Sequence, residues 1–107
     1  MNKSFALDSS DAQEVRHKLA ILRDESDLLD YYGLTEAQVG EILASIPTEG
    51  GEWTVPEWAR KAVVGEMRDH SVILRDIADD ARNANDIKES KRINRQSEKF
   101  KKMFLAV

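Results

Sequence analysis

Residues 54–83 read TVPEWARKAVVGEMRDHSVILRDIADDARN, and the fold class turns on them. Ala59, Ala62, Val63, Met67, His70, Ile73, Leu74, Ile77, Ala78 and Ala81 recur along this stretch at helical spacing. That spacing makes one continuous apolar face on a helix of roughly six or seven turns. Thr54 and Glu57 stand at capping-box positions, so the helix is expected to begin at Thr54. Pro56 then falls in the first turn, where its missing amide hydrogen costs no ladder bond. Such a helix is long for a small domain; it is expected to brace shorter helices or to extend into an interface.

Toward the C-terminus, Asn83 to Asp86 interrupt the apolar pattern. Asp86 can cap a new helix, with Glu89 completing the box, so a break or bend is expected here. A single rod from Thr54 to Met103 is the alternative, because asparagine is only mildly unfavourable inside a helix. The remaining residues, 87–107, form a basic C-terminal helix in which Phe100, Met103, Phe104, Leu105 and Val107 return as an apolar anchor.

Toward the N-terminus, Thr48 to Trp53 connect elements, and Gly50 and Gly51 permit a sharp turn. Before them, Thr35 and Gln38 form a capping box at the head of a helix. Val39, Ile42, Leu43 and Ile46 mark its buried face, and Pro47 closes it. A first helix is expected from Ser10, with Gln13 as the reciprocal cap. Val15, Leu19, Leu22 and Leu29 form its stripe, Ser26 interrupts it and Gly33 ends it. Residues 1–9 contain Phe5 and Leu7 and read as either a frayed end or a small arm packing onto another surface. The expectation is therefore a single all-α domain over 1–107, a small bundle of three to four helices around one long central helix. Oligomerisation is the natural way to complete so small a core.

Composition narrows the chemistry. The chain has 107 residues, no cysteine and a formal charge of −4, so disulfides, thiol catalysis and thiolate zinc sites are absent from it. No apolar run approaches the roughly 20 residues needed to span a bilayer, and Met1 to Ala20 lack a signal-like apolar segment. A cytoplasmic protein without membrane attachment is expected. The charge is unevenly spread: residues 1–50 carry four bases and ten acids, residues 51–86 five and eight, and residues 87–107 seven and two. An acidic chain is a poor generic polyanion binder, yet its last fifth is a local positive surface.

That surface is the first candidate site. Lys88, Arg92, Arg95, Lys99 and Lys102 alternate steps of four and three, which lines their charges along one helical side. Such a stripe suits a protein contact, with Arg92, Arg95, Lys99, Phe100, Lys102 and Phe104 combining charge with apolar anchors. The acidic stretch Asp24, Glu25, Asp27 and Asp30 is one complementary surface. The same cations, Lys88, Arg92, Arg95, Lys99 and Lys102, would also meet nucleic-acid phosphates. Met67, Ile73, Leu74 and Ile77 are the core or self-association candidates.

Leu34 to Leu43, LTEAQVGEIL, resembles the opening helix of some helix-turn-helix DNA-binding domains. The resemblance implies that Thr54 to Ala62 would enter the groove, with Arg60 and Lys61 as contacts. The stretch between the two segments is longer than the usual short turn, and Glu57 would repel phosphate.

The remaining motifs point to structure. Trp53 and Trp58 are expected to cover core edges with their indole N–H groups paired. Glu66 and His70 are one turn apart, but two ligands do not close a zinc site. Asp24, Asp27 and Asp30 lack the glycine and alternating ligands of a calcium loop. Asp76, Asp79 and Asp80 have no accompanying nucleophile, and no glycine-rich phosphate loop occurs. No catalytic residue, metal or cofactor is expected. The function expected is that of a non-enzymatic binding, regulatory or adaptor protein acting through self-association or a protein partner, with nucleic-acid binding by the basic helix as the alternative.

Overall fold

In the computed structural model, which describes residues 3–105, the N-terminal segment is the first departure from the helical expectation. Lys3–Leu7 is a strand, β1, and Gly51–Val55 is a second, β2. The two pair antiparallel with Phe5 opposite Trp53 and Lys3 opposite Val55. Side chains alternate as a half-buried ribbon requires: Phe5, Leu7, Trp53 and Val55 point inward, while Ser4, Ala6, Glu52 and Thr54 are exposed. Phe5 and Trp53 stack with ring centroids 6.1 Å apart, and the Ser4 and Thr54 hydroxyls meet on the wet face at 3.1 Å. Residues 3–7 are therefore an ordered strand rather than a frayed end, and Thr54 is a strand residue rather than a helix cap.

Between the strands lie α1 (Ser9–Asp24), α2 (Ser26–Tyr32) and α3 (Glu36–Ser45); after them come α4 (Glu57–Asn83) and α5 (Ile87–Leu105). The described chain is thus mostly helical, with five helices and a small two-stranded sheet. It divides into two compact units, Met1–Val63 and Val64–Val107, so that α4 begins in the first and continues in the second.

In the first unit, α1 packs against α3, α2 and β1, and α3 against β2. Asp8 rather than Ser10 caps α1: its carboxylate accepts from the Asp11 amide at 2.8 Å, and Asp11 accepts in return from the Asp8 amide at 3.3 Å. The two capping patterns lie two residues apart in sequence, and the end of β1 at Leu7 selects the earlier one. The expected first helix is split at Glu25 into α1 and α2. Gly33, at φ 66°, ends α2 in the left-handed conformation that lets the Leu34 amide reach the Leu29 carbonyl. The Thr35–Gln38 box is present as expected, at 3.2 and 2.9 Å. Gly50 turns the chain into β2 at φ 91°, so close to β1 that a Cβ there would lie 2.9 Å from the Ser9 nitrogen. Trp53 is only 1% exposed, and its indole N–H donates to the Ser45 hydroxyl at 2.9 Å.

In the second unit, α4 and α5 form an antiparallel hairpin. The Arg68 guanidinium donates to the Phe104 carbonyl at 3.4 Å, His70 packs on Phe100 at 5.8 Å, and the Ser97 hydroxyl donates to the Ser71 carbonyl at 2.6 Å. A side chain bonded to the backbone of the facing helix requires close approach, which Ser71, Ala78, Ser90 and Ser97 permit by being small and buried. The turn is built by Asn85, at φ 65°, with the Asp86 amide bonded to Ala81 and the Asn85 amide to Arg82. This is a left-handed helix ending with asparagine in the usual place of glycine. Asp86 then caps α5 through the Glu89 amide at 3.2 Å. The break expected near residues 83–86 is present, and the single-rod alternative is excluded.

Candidate functional site

The hairpin holds the residues expected to form the C-terminal partner surface, and burial sorts them into two groups. Phe100 and Phe104 are fully buried, at 0% exposure. Their rings lie 6.3 Å apart within the unit's core. They are therefore not outward anchors: the face of α5 that carries them is the one turned to α4. Lys88, Arg92, Arg95, Lys99 and Lys102 are all exposed, as their spacing on the opposite side of the same helix requires. A shallow depression of about 470 Å³ runs among Asn94, Arg95, Glu98, Lys99 and Lys102. Charge along the stripe is not uniform. Arg92 donates from Nε to both Glu89 carboxylate oxygens at 3.1 Å and also closes an Nη2 contact. That bidentate bond holds the Glu89 carboxyl below the usual carboxylate range. The acids proposed as a complementary surface, Asp24, Glu25, Asp27 and Asp30, are exposed as well.

The four α4 candidates also divide. Met67 is buried, Leu74 is half-buried, and Ile73 and Ile77 stand 40% and 45% exposed. The reason is geometric. Buried or half-buried Met67, Ser71, Leu74, Ala78 and Ala81 follow steps of four and three, the seam of a helix packed against one partner. The apolar face read from sequence is wider than that seam, and Ile73 and Ile77 lie on its margin. Val72 and Ile87, 57% and 47% exposed, are further apolar surface positions that the periodicity did not single out.

The exposed apolar residues are set in charge of opposite sign on the two helices. Asp69, Asp76, Asp79 and Asp80 on α4 are exposed. On the other side of the hairpin Arg68, Ser71, Val72 and Arg75 from α4 meet Ser97, Glu98 and Lys101 from α5 around a groove of about 190 Å³. In the first unit, Arg16, His17 and Arg23 from α1 and Gly40 and Ala44 from α3 border a shallow groove of about 640 Å³. The Arg16 guanidinium there donates to the Leu43 carbonyl at 3.0 Å, sharing with the Ile46 amide an acceptor near the end of α3.

The other sequence candidates have structural placements. Leu34 to Leu43 does contain the head of α3, but β2 occupies Gly51–Val55, so Thr54 to Ala62 is not one helix and cannot serve as the inserted element. Lys61 lies 5.7 Å from the Tyr31 ring centroid, a cation–π contact within the unit. His17 is exposed, and His70 rests on Phe100. Trp53 covers a core edge with its N–H paired, whereas Trp58 is 44% exposed. Among the described residues no three His, Asp or Glu side chains gather as a metal site, and no helix is long and apolar enough to cross a membrane.

Compared with known proteins, the chain matches no family model, no curated protein and no solved structure.

Proposed function

We propose that the chain is a non-enzymatic, cytoplasmic adaptor or regulatory protein that works by docking its α4–α5 hairpin onto protein, whether a partner or a second copy. The observation that carries this reading is the pair Ile73 and Ile77, one helical turn apart and nearly half exposed at the margin of a helix face whose centre is core. Branched aliphatic side chains held rigidly on a helix lose little entropy when covered and gain from leaving water, which suits a contact surface. The exposed α5 cations supply steering toward an acidic surface. Asp76, Asp79 and Asp80 are exposed, which supports a solvated face rather than a buried acid–base pair.

A photo-cross-linking residue placed at position 77, and as a control at exposed Thr48, tests the reading in the native host. Polypeptide adducts from position 77 and none from position 48 are expected. Adducts to nucleic acid alone, or no adduct from position 77, would overturn it.

A second reading is favoured by one observation: all five cations of the α5 stripe are exposed on one side of a helix. In this reading they contact the phosphates of a nucleic acid, and binding weakens steeply with salt. Titration of labelled duplex and single-stranded nucleic acid at low salt decides it, since no binding to either removes it.

A further inference from the structure

We infer that the occupant of the Ile73–Ile77 surface is a second copy of this chain, with α4 of each copy lying against the outer face of α5 of the other. The inference rests on the protein-docking reading above and narrows it to one partner.

Arg75 and Lys101 both line the groove on one side of the hairpin. An α-helix turns about 100° per residue, so Ile73 and Ile77, each two residues from Arg75, point about 160° away from it. Lys99, two residues from Lys101, and Arg92, nine residues from it, turn away from that groove by about 160–180° on the same reckoning. Ile73 and Ile77 of α4 and Arg92 and Lys99 of α5 therefore share the other side of the hairpin.

Charge on that side is self-complementary. Asp69, Asp76 and Asp80 neighbour the two isoleucines at helical steps of three and four, and all three are exposed. On α5, Lys88, Arg92 and Lys99 turn to that side, and Arg95 and Lys102, about 100–120° round the helix from Lys101, stand at its outer edge; all five are exposed. At a rise of about 1.5 Å per residue the acids extend over about 16 Å and the cations over about 21 Å, so the basic row is long enough to cover the acidic one. A hairpin that presents an acid-flanked apolar pair on one helix and a basic stripe on the next satisfies both at once under a two-fold axis. The α4 of each copy meets the α5 of the other, and the two contacts are identical by symmetry. An unrelated partner would have to supply both complements on one surface; a second copy already carries them. Pairing two antiparallel hairpins in this way completes a four-helix bundle.

Sedimentation equilibrium on the full chain at micromolar concentration tests the pairing through charge exchange. The intact chain is expected to be a dimer that weakens with salt. Asp76→Lys with Asp80→Lys in one variant, and Arg95→Glu with Lys99→Glu in another, are each expected to be monomeric, because like charges then face each other. Mixing the two is expected to restore a dimer, since one interface is repaired by the double exchange and the other is unaltered. Ile73→Ser with Ile77→Ser should weaken dimerisation by about 100-fold or more. Circular dichroism checks that each variant, altered only at exposed positions, keeps its helix content. A monomeric intact chain, a charge variant that remains dimeric, or a mixture that stays monomeric would overturn the inference. Failure here leaves the docking reading standing if position 77 still cross-links to a different polypeptide; absence of any polypeptide adduct removes both.

Discussion

Gly50 and Gly40 show how much a single backbone angle decides. At Gly50 a side chain would be forced into a left-handed conformation and against the β1–α1 junction, whereas at Gly40 a Cβ would meet nothing within 4 Å. Gly50→Ala is expected to destabilise the chain by about 2–3 kcal/mol. Gly40→Ala, inside α3, should stabilise it by about 0.5–1 kcal/mol by restricting the unfolded chain. Chemical denaturation of the two variants beside the intact chain checks both signs. The Gly50–Gly51 pair was legible as a turn because glycine is the residue that enters such angles freely. That the turn leads into a strand was not legible, because the strand's partner is β1, near the opposite end of the first unit.

Among the elements, the hairpin of α4 and α5 is the clearest case of local chemistry setting structure. Asn85, Asp86 and Glu89 end one helix and start the next with bonds that span at most five residues, so the break could be read ahead of the fold. Glu89 adds a pH dependence. Its carboxyl is held low chiefly by the hydrogen bonds from Arg92, so its folded pKa lies below its unfolded value. The stabilisation it brings is present above the ordinary carboxylate range and is lost as pH falls through the lowered folded value. An NMR titration of the Glu89 side chain should show the depressed midpoint, and Arg92→Ala should move it back up. The aromatic residues of α5 behave otherwise. With Phe100 fully buried, Phe100→Ala is expected to cost about 3–5 kcal/mol. Ile77→Ala should change the stability of the isolated chain by no more than about 0.5 kcal/mol. Denaturation at concentrations below any self-association separates the two.

For the molecule as a whole, the competing functions differ in how they use the same helix. If nucleic acid is the ligand, Arg95→Ala should reduce affinity for all sequences alike and lower the slope of log affinity against log salt by about 1. If protein is the ligand, the isoleucine substitutions on α4 matter more than any single cation, because apolar centres carry most of an interface's free energy and rim charges mainly its rate. Fluorescence anisotropy with a labelled duplex across a salt series measures the first effect. The candidate surface was only half visible in the sequence. The cations could be placed outward from their spacing alone, since a charged stripe of that length has no other stable place to go. Phe100 and Phe104 share the helix with them and looked equally available; only the position of α4 turned that face inward.

What the sequence determined by itself were the features whose causes lie within a few residues: the Thr35–Gln38 cap, the stops at Gly33 and Pro47, the break before Asp86 and the basic side of α5. Each depends on backbone angles and bonds that neighbouring side chains supply. The tertiary structure alone decided two others. It paired β1 with β2, because a strand's hydrogen bonds are made to a segment that sequence proximity does not indicate. It also selected which part of the broad apolar face of α4 became core, because a helix seam is drawn by what packs on it: Ser71 takes a hydrogen bond from Ser97 of α5, Met67 and Ala78 are buried, and Ile73 and Ile77 are left in water.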